Sequence, residues 1–227
     1  AVMPLTPIEI EALKLSLQVA FWAVGVSLPL GVTIAWLLSR KSFPGRFLLD
    51  SIVHLPLIVP PVAVGYMLLV VMGRQGLLGS WFWDTFQISI SFSWRGAAVA
   101  AGIMAFPLMV RAIRLGFDAV DSKLEQAART LGARPLAVFL TVTIPLIFPS
   151  LMTGFILAFA RCIGEFGATI TFVSNIPSET RTLPLALYTA VQSPGGEVAA
   201  LRLVIISVVI ALAALLASEY LSRKARR

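Results

Sequence analysis

The chain has 227 residues, of which 58% are hydrophobic and only 13% charged, whereas a soluble domain carries about a quarter charged. With a mean hydropathy of +0.91, this excludes a soluble domain and predicts an all-α polytopic membrane protein. The +7 formal charge then reads as a topology signal, not as affinity for nucleic acid, and the lone cysteine, Cys162, excludes a disulfide framework or a cysteine-based metal cluster.

A spanning helix needs about 20 mainly apolar residues. No basic n-region opens the chain, so no cleavable signal peptide is expected. Leu13 to Leu38 is the first apolar stretch, with Lys14 near its start able to snorkel. A short basic turn, Arg40 to Arg46, leads to a second span, Leu48 to Met72, which contains Pro56, Pro60 and Pro61. Gly73 to Trp94 reads as a connection whose aromatics suit a lipid–water boundary. Gly96 to Val110, running on to about Leu115, is the third span, and Ile144 to Ile163 the fourth. Gly164 to Glu197 is mixed, and Val198 to Leu221 is the last span before a basic C-terminus. Five core spans result, with a sixth allowed, in a single transmembrane domain over 1–227.

Charge tests that layout. Placing the basic turn, the loop around Lys123 with the end of the third span, and the C-terminus on one side gathers twelve of the 18 Lys and Arg residues there. The positive-inside rule makes that side cytoplasmic. Five spans then put the N-terminus outside and the C-terminus inside.

The most informative stretch is Lys123 to Pro149, inside a cytoplasmic loop of about 117–143. Ser122 and Glu125 have capping-box spacing and predict a helix start at or near Ser122. Leu124, Ala127, Ala128 and Leu131 recur at i, i+3, i+4 and i+7 and make one small apolar stripe. Gly132 supplies a left-handed stop, and Pro135 keeps the helix from resuming. A helix of under three turns is unstable alone in water. It wants a partner surface, although an ordinary interfacial helix-turn would show the same spacing.

This pattern resembles the EAA loop of ABC-importer permeases, in which E-A-A, three residues, Gly, nine residues and I-x-L-P recur. Here the alanines are Ala127 and Ala128, the glycine is Gly132, and the tail is Val142 to Pro145. The resemblance implies that Leu124, Glu125, Gln126, Ala127, Ala128, Leu131 and Gly132 form a coupling helix seated on an ATPase subunit. The motif glutamate position is Gln126, with the carboxylate one residue earlier at Glu125.

Absences narrow the chemistry. No G-x-x-x-x-G-K-[ST] occurs, so ATP hydrolysis belongs to another chain. There is no H-E-x-x-H, and the single His54 builds neither a zinc site nor a triad, so the chain is not expected to be an enzyme. Five spans do not enclose a solute path, which implies a homodimer with the path on its two-fold axis. Pro56, Pro60 and Pro61 mark either a kinked pore-lining helix or a packed structural kink. Asp50 and His54 share an i, i+4 spacing and read as an interfacial hydrogen-bonded pair. Arg161 and Glu165 have that spacing too, as a boundary salt bridge or part of an outer gate.

Over most of the chain the residues resemble the permease subunits of molybdate ABC importers. The segments are Leu48–Tyr66, Ser91–Ala97, Phe106–Arg114 and, most specifically, Gly164–Tyr188. The resemblance implies a type I ABC importer permease fold in a prokaryotic inner membrane. It also implies a homodimer joined to two ATPase subunits that hold ATP and Mg, no cofactor in this chain, and an extracytoplasmic binding protein delivering molybdate or tungstate. A sulfate or thiosulfate permease would share most of these features. A non-transporting scaffold or sensor whose short helix recruits a partner is the reading from another class.

Overall fold

The computed structural model describes residues 5–225, and their regular structure is entirely helical. α1 (Pro7–Arg40) starts at a capping box in which Thr6 Oγ1 accepts from Glu9 N and Thr6 N donates to Glu9 Oε2 at 2.7 Å. It passes Pro29 without ending. α2 (Arg46–His54), a 3-10 turn (Leu55–Leu57) and α3 (Pro61–Met72) follow. Together they occupy the predicted second span, but they bend by 109° at the break. Pro61 stands in the first turn of α3, where its missing N–H costs nothing, and Pro60 precedes it in an extended conformation that no helix accepts. The three prolines therefore separate two helices instead of kinking one.

The predicted connection after Met72 holds another helix, α4 (Leu77–Phe86). α5 (Trp94–Ala119) is capped by Ser93, whose Oγ accepts from Gly96 N. α6 (Ser122–Thr130) is short and on the surface. Pro135 then opens a helix, contrary to its expected role as a stop. α7 runs Pro135–Ile163, including one π-helical turn at Phe139–Thr143. The fourth span thus begins nine residues before Ile144, because Phe139 packs against Trp36 of α1 and Phe117 of α5 and draws this end of the helix onto the bundle. α8 (Gly167–Val173), α9 (Leu183–Gln192) and α10 (Glu197–Ala225) complete the chain.

Pairwise registers give the directions. Gly102 faces Ala23, Met109 faces Gly31, and Arg40 reaches Val120 O at 3.1 Å. Both numbers rise together, so α1 and α5 are parallel. Cys162 Sγ lies 3.4 Å from Ala101 O, Gly154 meets Met109 and Ile113, and Gly116 meets Ser150. Here the numbers run oppositely, so α5 and α7 are antiparallel. Parallel α1 and α5 require a return between them, and the bent α2–α3 pair with α4 makes it. α9 stays at the far end from α6, where Leu183 N donates to Ser16 Oγ at 2.7 Å. α10 starts there too, with Arg202 Nε 2.8 Å from Glu9. Five traverses result, and the ten-residue α9 is too short to be a sixth.

Small residues set the helix spacing. Ala20, Ala97, Ala100, Ala101 and Ala158 are wholly buried, so backbones approach closely where lipid supplies no hydrophobic drive. The tightest approach joins α3 to α8. A Cβ on Gly65 would sit 2.5 Å from Ala168 O and 2.9 Å from Thr171 Cβ, and one on Gly167 would sit 2.7 Å from Pro61 Cβ. Because backbone cannot yield as a side chain does, Gly65→Ala is expected to cost about 2–3 kcal/mol. A lowered unfolding midpoint in detergent is the measurement, and an unchanged midpoint would mean that the two helices separate freely.

Candidate functional site

Among the described residues α6 is the one helix of eight or more residues that hides nothing. None of its residues is buried. Its N-cap is Asp121, not Ser122: Asp121 Oδ1 accepts from Lys123 N at 2.9 Å. Its other end is a complete Schellman motif. Gly132 takes φ +89°, its N–H donates to Arg129 O at 3.0 Å, and Ala133 N donates to Ala128 O at 3.1 Å. Those bonds satisfy the last carbonyls and turn the chain sharply into α7.

The faces of α6 divide the predicted residues. Leu124, Gln126 and Ala127 are exposed, Ala128 is half-buried, and Leu131 is 89% exposed at the tip. Leu136 and Leu140 on the first turns of α7 are exposed as well. An apolar leucine and alanine surface therefore stands open at this end. Glu125 departs from that set. Instead of closing a capping box it turns inward, accepting from Thr143 Oγ1 at 2.8 Å and lying 3.5 Å from Arg40 Nη2. The carboxylate ties α6 to the ends of α1 and α7, and Gln126 beside it points away.

The gate candidates lie elsewhere. Arg161 Nη1 stands 2.7 Å from Glu165 Oε2 at the far end, and the Glu165 side chain is 1% exposed. Its Oε1 also accepts from Ala168 N at 2.9 Å, in the first turn of α8. Pro61 touches Gly167, so the elbow beside Pro56, Pro60 and Pro61 and the Arg161–Glu165 pair meet through the α3–α8 contact. The structure brings these two sequence-distant features together.

Residues that sequence reading missed are the partners. Arg40, Thr143, Ser39, Asp118 and Arg114 surround α6 and the start of α2, and Glu9 with Arg202 closes the far end. Only proximity in space reveals them, since Glu9 and Arg202 lie 193 residues apart. Among the described residues no three His, Cys, Asp or Glu side chains are grouped to hold a metal.

Comparison with known proteins agrees with this arrangement. Residues 27–227 match the family model described as binding-protein-dependent transport system inner membrane component. The chain is 60% identical over 224 residues to the molybdenum transport system permease protein ModB of Escherichia coli K12, covering 99% of this chain and 98% of that one. It is 51% identical over 219 residues to ModB of Haemophilus influenzae, covering 96% of each. A probable sulfate transport permease, cysT of Nephroselmis olivacea, is 35% identical over 80% of this chain and 64% of its own length. In fold the chain resembles a bacterial alginate ABC transporter (TM-score 0.70, 14% identity, 98% of this chain and 80% of that one). It also resembles the MetNI methionine ABC transporter (TM-score 0.68, 15% identity, 97% and 95%). Such a component carries solutes and is not an enzyme, and its fold is that of the type I ABC importers. The chain belongs to the family of binding-protein-dependent transport system inner membrane components, alongside the ModB permeases.

Proposed function

We infer that this chain is one half of a homodimeric permease that moves molybdate, or tungstate, into the cell by alternating access. Two ATPase subunits bind ATP and Mg on the α6 side, and an extracytoplasmic binding protein delivers the anion at the far end. The chain itself takes no cofactor. Residues 1–227 act as one domain whose N-terminus is outside and whose C-terminus is cytoplasmic. The direction of α1, α5 and α7 supports that orientation, since Arg40, Arg114, Lys123, Arg129 and Arg134 gather at the α6 end.

The observation that carries the reading is α6 itself: a helix of nine residues with none buried, closed by Gly132 and bonded to α1 and α7 through Glu125. Held in a cleft between ATPase domains, it moves when ATP closes that cleft. Each nucleotide state acts only through its different affinity for the two conformations, and the flanking spans tilt as rigid bodies. Among the described residues there are two open depressions, one of about 730 Å³ near Arg74 and Ser91 and an apolar one of about 310 Å³ inside the elbow, and neither passes through the bundle as a closed channel would. This supports a path made by two copies. Greater identity to the ModB proteins than to cysT favours molybdate over sulfate.

The test is ATPase activity of the whole complex in proteoliposomes, with binding protein loaded or empty. Molybdate-loaded binding protein should stimulate hydrolysis and uptake, and sulfate should do neither. Stimulation by sulfate alone would reassign the substrate. No solute-dependent stimulation at all would leave a scaffold, not a transporter.

A further inference from the structure

At the α6 end a row of polar side chains from four helices has no part in the apolar docking face. It begins at Glu125, between Thr143 and Arg40. Arg40 also donates to Val120 O, and its neighbour Ser39 donates to Asp118 on α5. One turn earlier on α5, Arg114 Nε lies 3.9 Å from Asp118 Oδ2. Its Nη1 reaches both carboxylate oxygens of Asp50 on α2 at 3.3 Å. His54 sits on the next turn, its Nδ1 2.8 Å from the Asp50 backbone carbonyl and 3.2 Å from Oδ1, and directly precedes the 3-10 turn of the elbow. Polar contacts thus run from the surface helix to the bent span, which otherwise lie on separate stretches of chain.

The two ends of the bundle differ in how such contacts are made. At the far end the pairs are short, 2.7 Å for Arg161–Glu165 and 2.8 Å for Arg202–Glu9, with carboxylates that are almost wholly buried. Such pairs resist separation, because parting them strands a charge away from water. At the α6 end, where the hydroxyl contacts Thr143–Glu125 and Ser39–Asp118 are short, the charged cross-helix pairs are 3.3 and 3.5 Å, longer than the usual 2.7–2.9 Å of charge-assisted bonds. Their side chains are between 18% and 37% exposed, so each pair is held weakly and is easily exchanged. Arg40 Nε is buried without an acceptor, a donor that another arrangement of the same groups could use.

The geometry points to the row Glu125–Arg40/Ser39–Asp118–Arg114–Asp50 as a positioning relay through which movement of α6 resets the angle of α2, and with it the elbow. This rests on the reading of α6 as the ATPase-docking helix. Displacing α6 carries Glu125, the ends of α1 and α5 follow through Arg40 and Asp118, and Arg114 then draws Asp50 and the α2 arm. None of these side chains need touch the anion. Coupling through a row of contacts is demonstrated only when its members act together, which a charge exchange can test.

The experiment uses the complete complex of permease, ATPase subunits and binding protein in proteoliposomes, and reads molybdate transported per ATP hydrolysed. Asp50→Asn and Arg114→Gln should each lower that ratio about fivefold while the ATPase subunits still co-purify. Arg114→Lys, which keeps the charge, and the exchange Asp50→Arg with Arg114→Asp should each recover at least about half of it. A purely structural role would reduce the yield of complex and leave the ratio unchanged. The relay is overturned if the single variants transport with the wild-type ratio, or if the exchange is no better than the single changes. Failure of the wild-type chain to retain the ATPase subunits would instead defeat the reading of α6.

Discussion

Gly132→Pro is expected to abolish ATP-driven uptake while the chain remains folded in the membrane. Gly132 sits at φ +89°, and proline is locked near −65°. Proline would also remove the N–H that donates to Arg129 O and, by turning the chain, would break the Ala133-to-Ala128 bond. The local cost is about 3 kcal/mol or more, equivalent to roughly a hundredfold loss of the docking-competent conformation. Nothing lies within 4 Å of where a Cβ at Gly132 would stand, so the strain stays at the tip of α6 and does not reach the bundle. Ala128→Trp tests the same surface by bulk, at the border of the exposed face. Membrane abundance and molybdate uptake are measured together. Wild-type uptake in both variants would show that α6 is not the coupling element.

Arg161→Ala is expected to have the largest effect on stability, about 3 kcal/mol, the low end for stranding one member of a buried pair because Arg161 is itself 34% exposed. The loss leaves the Glu165 carboxylate buried with only Ala168 N as a partner. Glu165→Gln should cost less, since the amide oxygen still accepts from Ala168 N, and adding it to Arg161→Ala should recover part of the loss. Thermal unfolding in detergent measures all three. If Arg161→Ala instead left the midpoint unchanged and altered only the rate of uptake, the pair would be an outer gate and not a structural clamp.

The spans and the stop of α6 were legible because each has a local cause. In lipid every backbone group must bond within its own helix, so long apolar runs declare themselves. A left-handed residue after a helix is nearly always glycine, so Gly132 could be read directly. α6 starts at Ser122 as expected, but its cap is Asp121 and not Ser122, because both residues are competent caps and the expected capping-box partner, Glu125, is claimed by Arg40 and Thr143. No local rule predicts that claim, since Arg40 lies 85 residues away.

The prolines announced a kink in a single span, whereas the structure breaks it into two helices after His54. The α2–α3 bend belongs to a chain return that parallel α1 and α5 demand, and α3 is held where Gly65 and Pro61 meet Ala168 and Gly167. By itself the sequence determined an all-α membrane protein with five crossings and a short helix seeking a partner, because hydropathy, helix stops and prolines act within a few residues. Only the tertiary structure decided where Glu125 points, which carboxylates are buried, and which polar groups stand between α6 and α2. Those outcomes depend on which helices become neighbours, and packing between distant segments settles that.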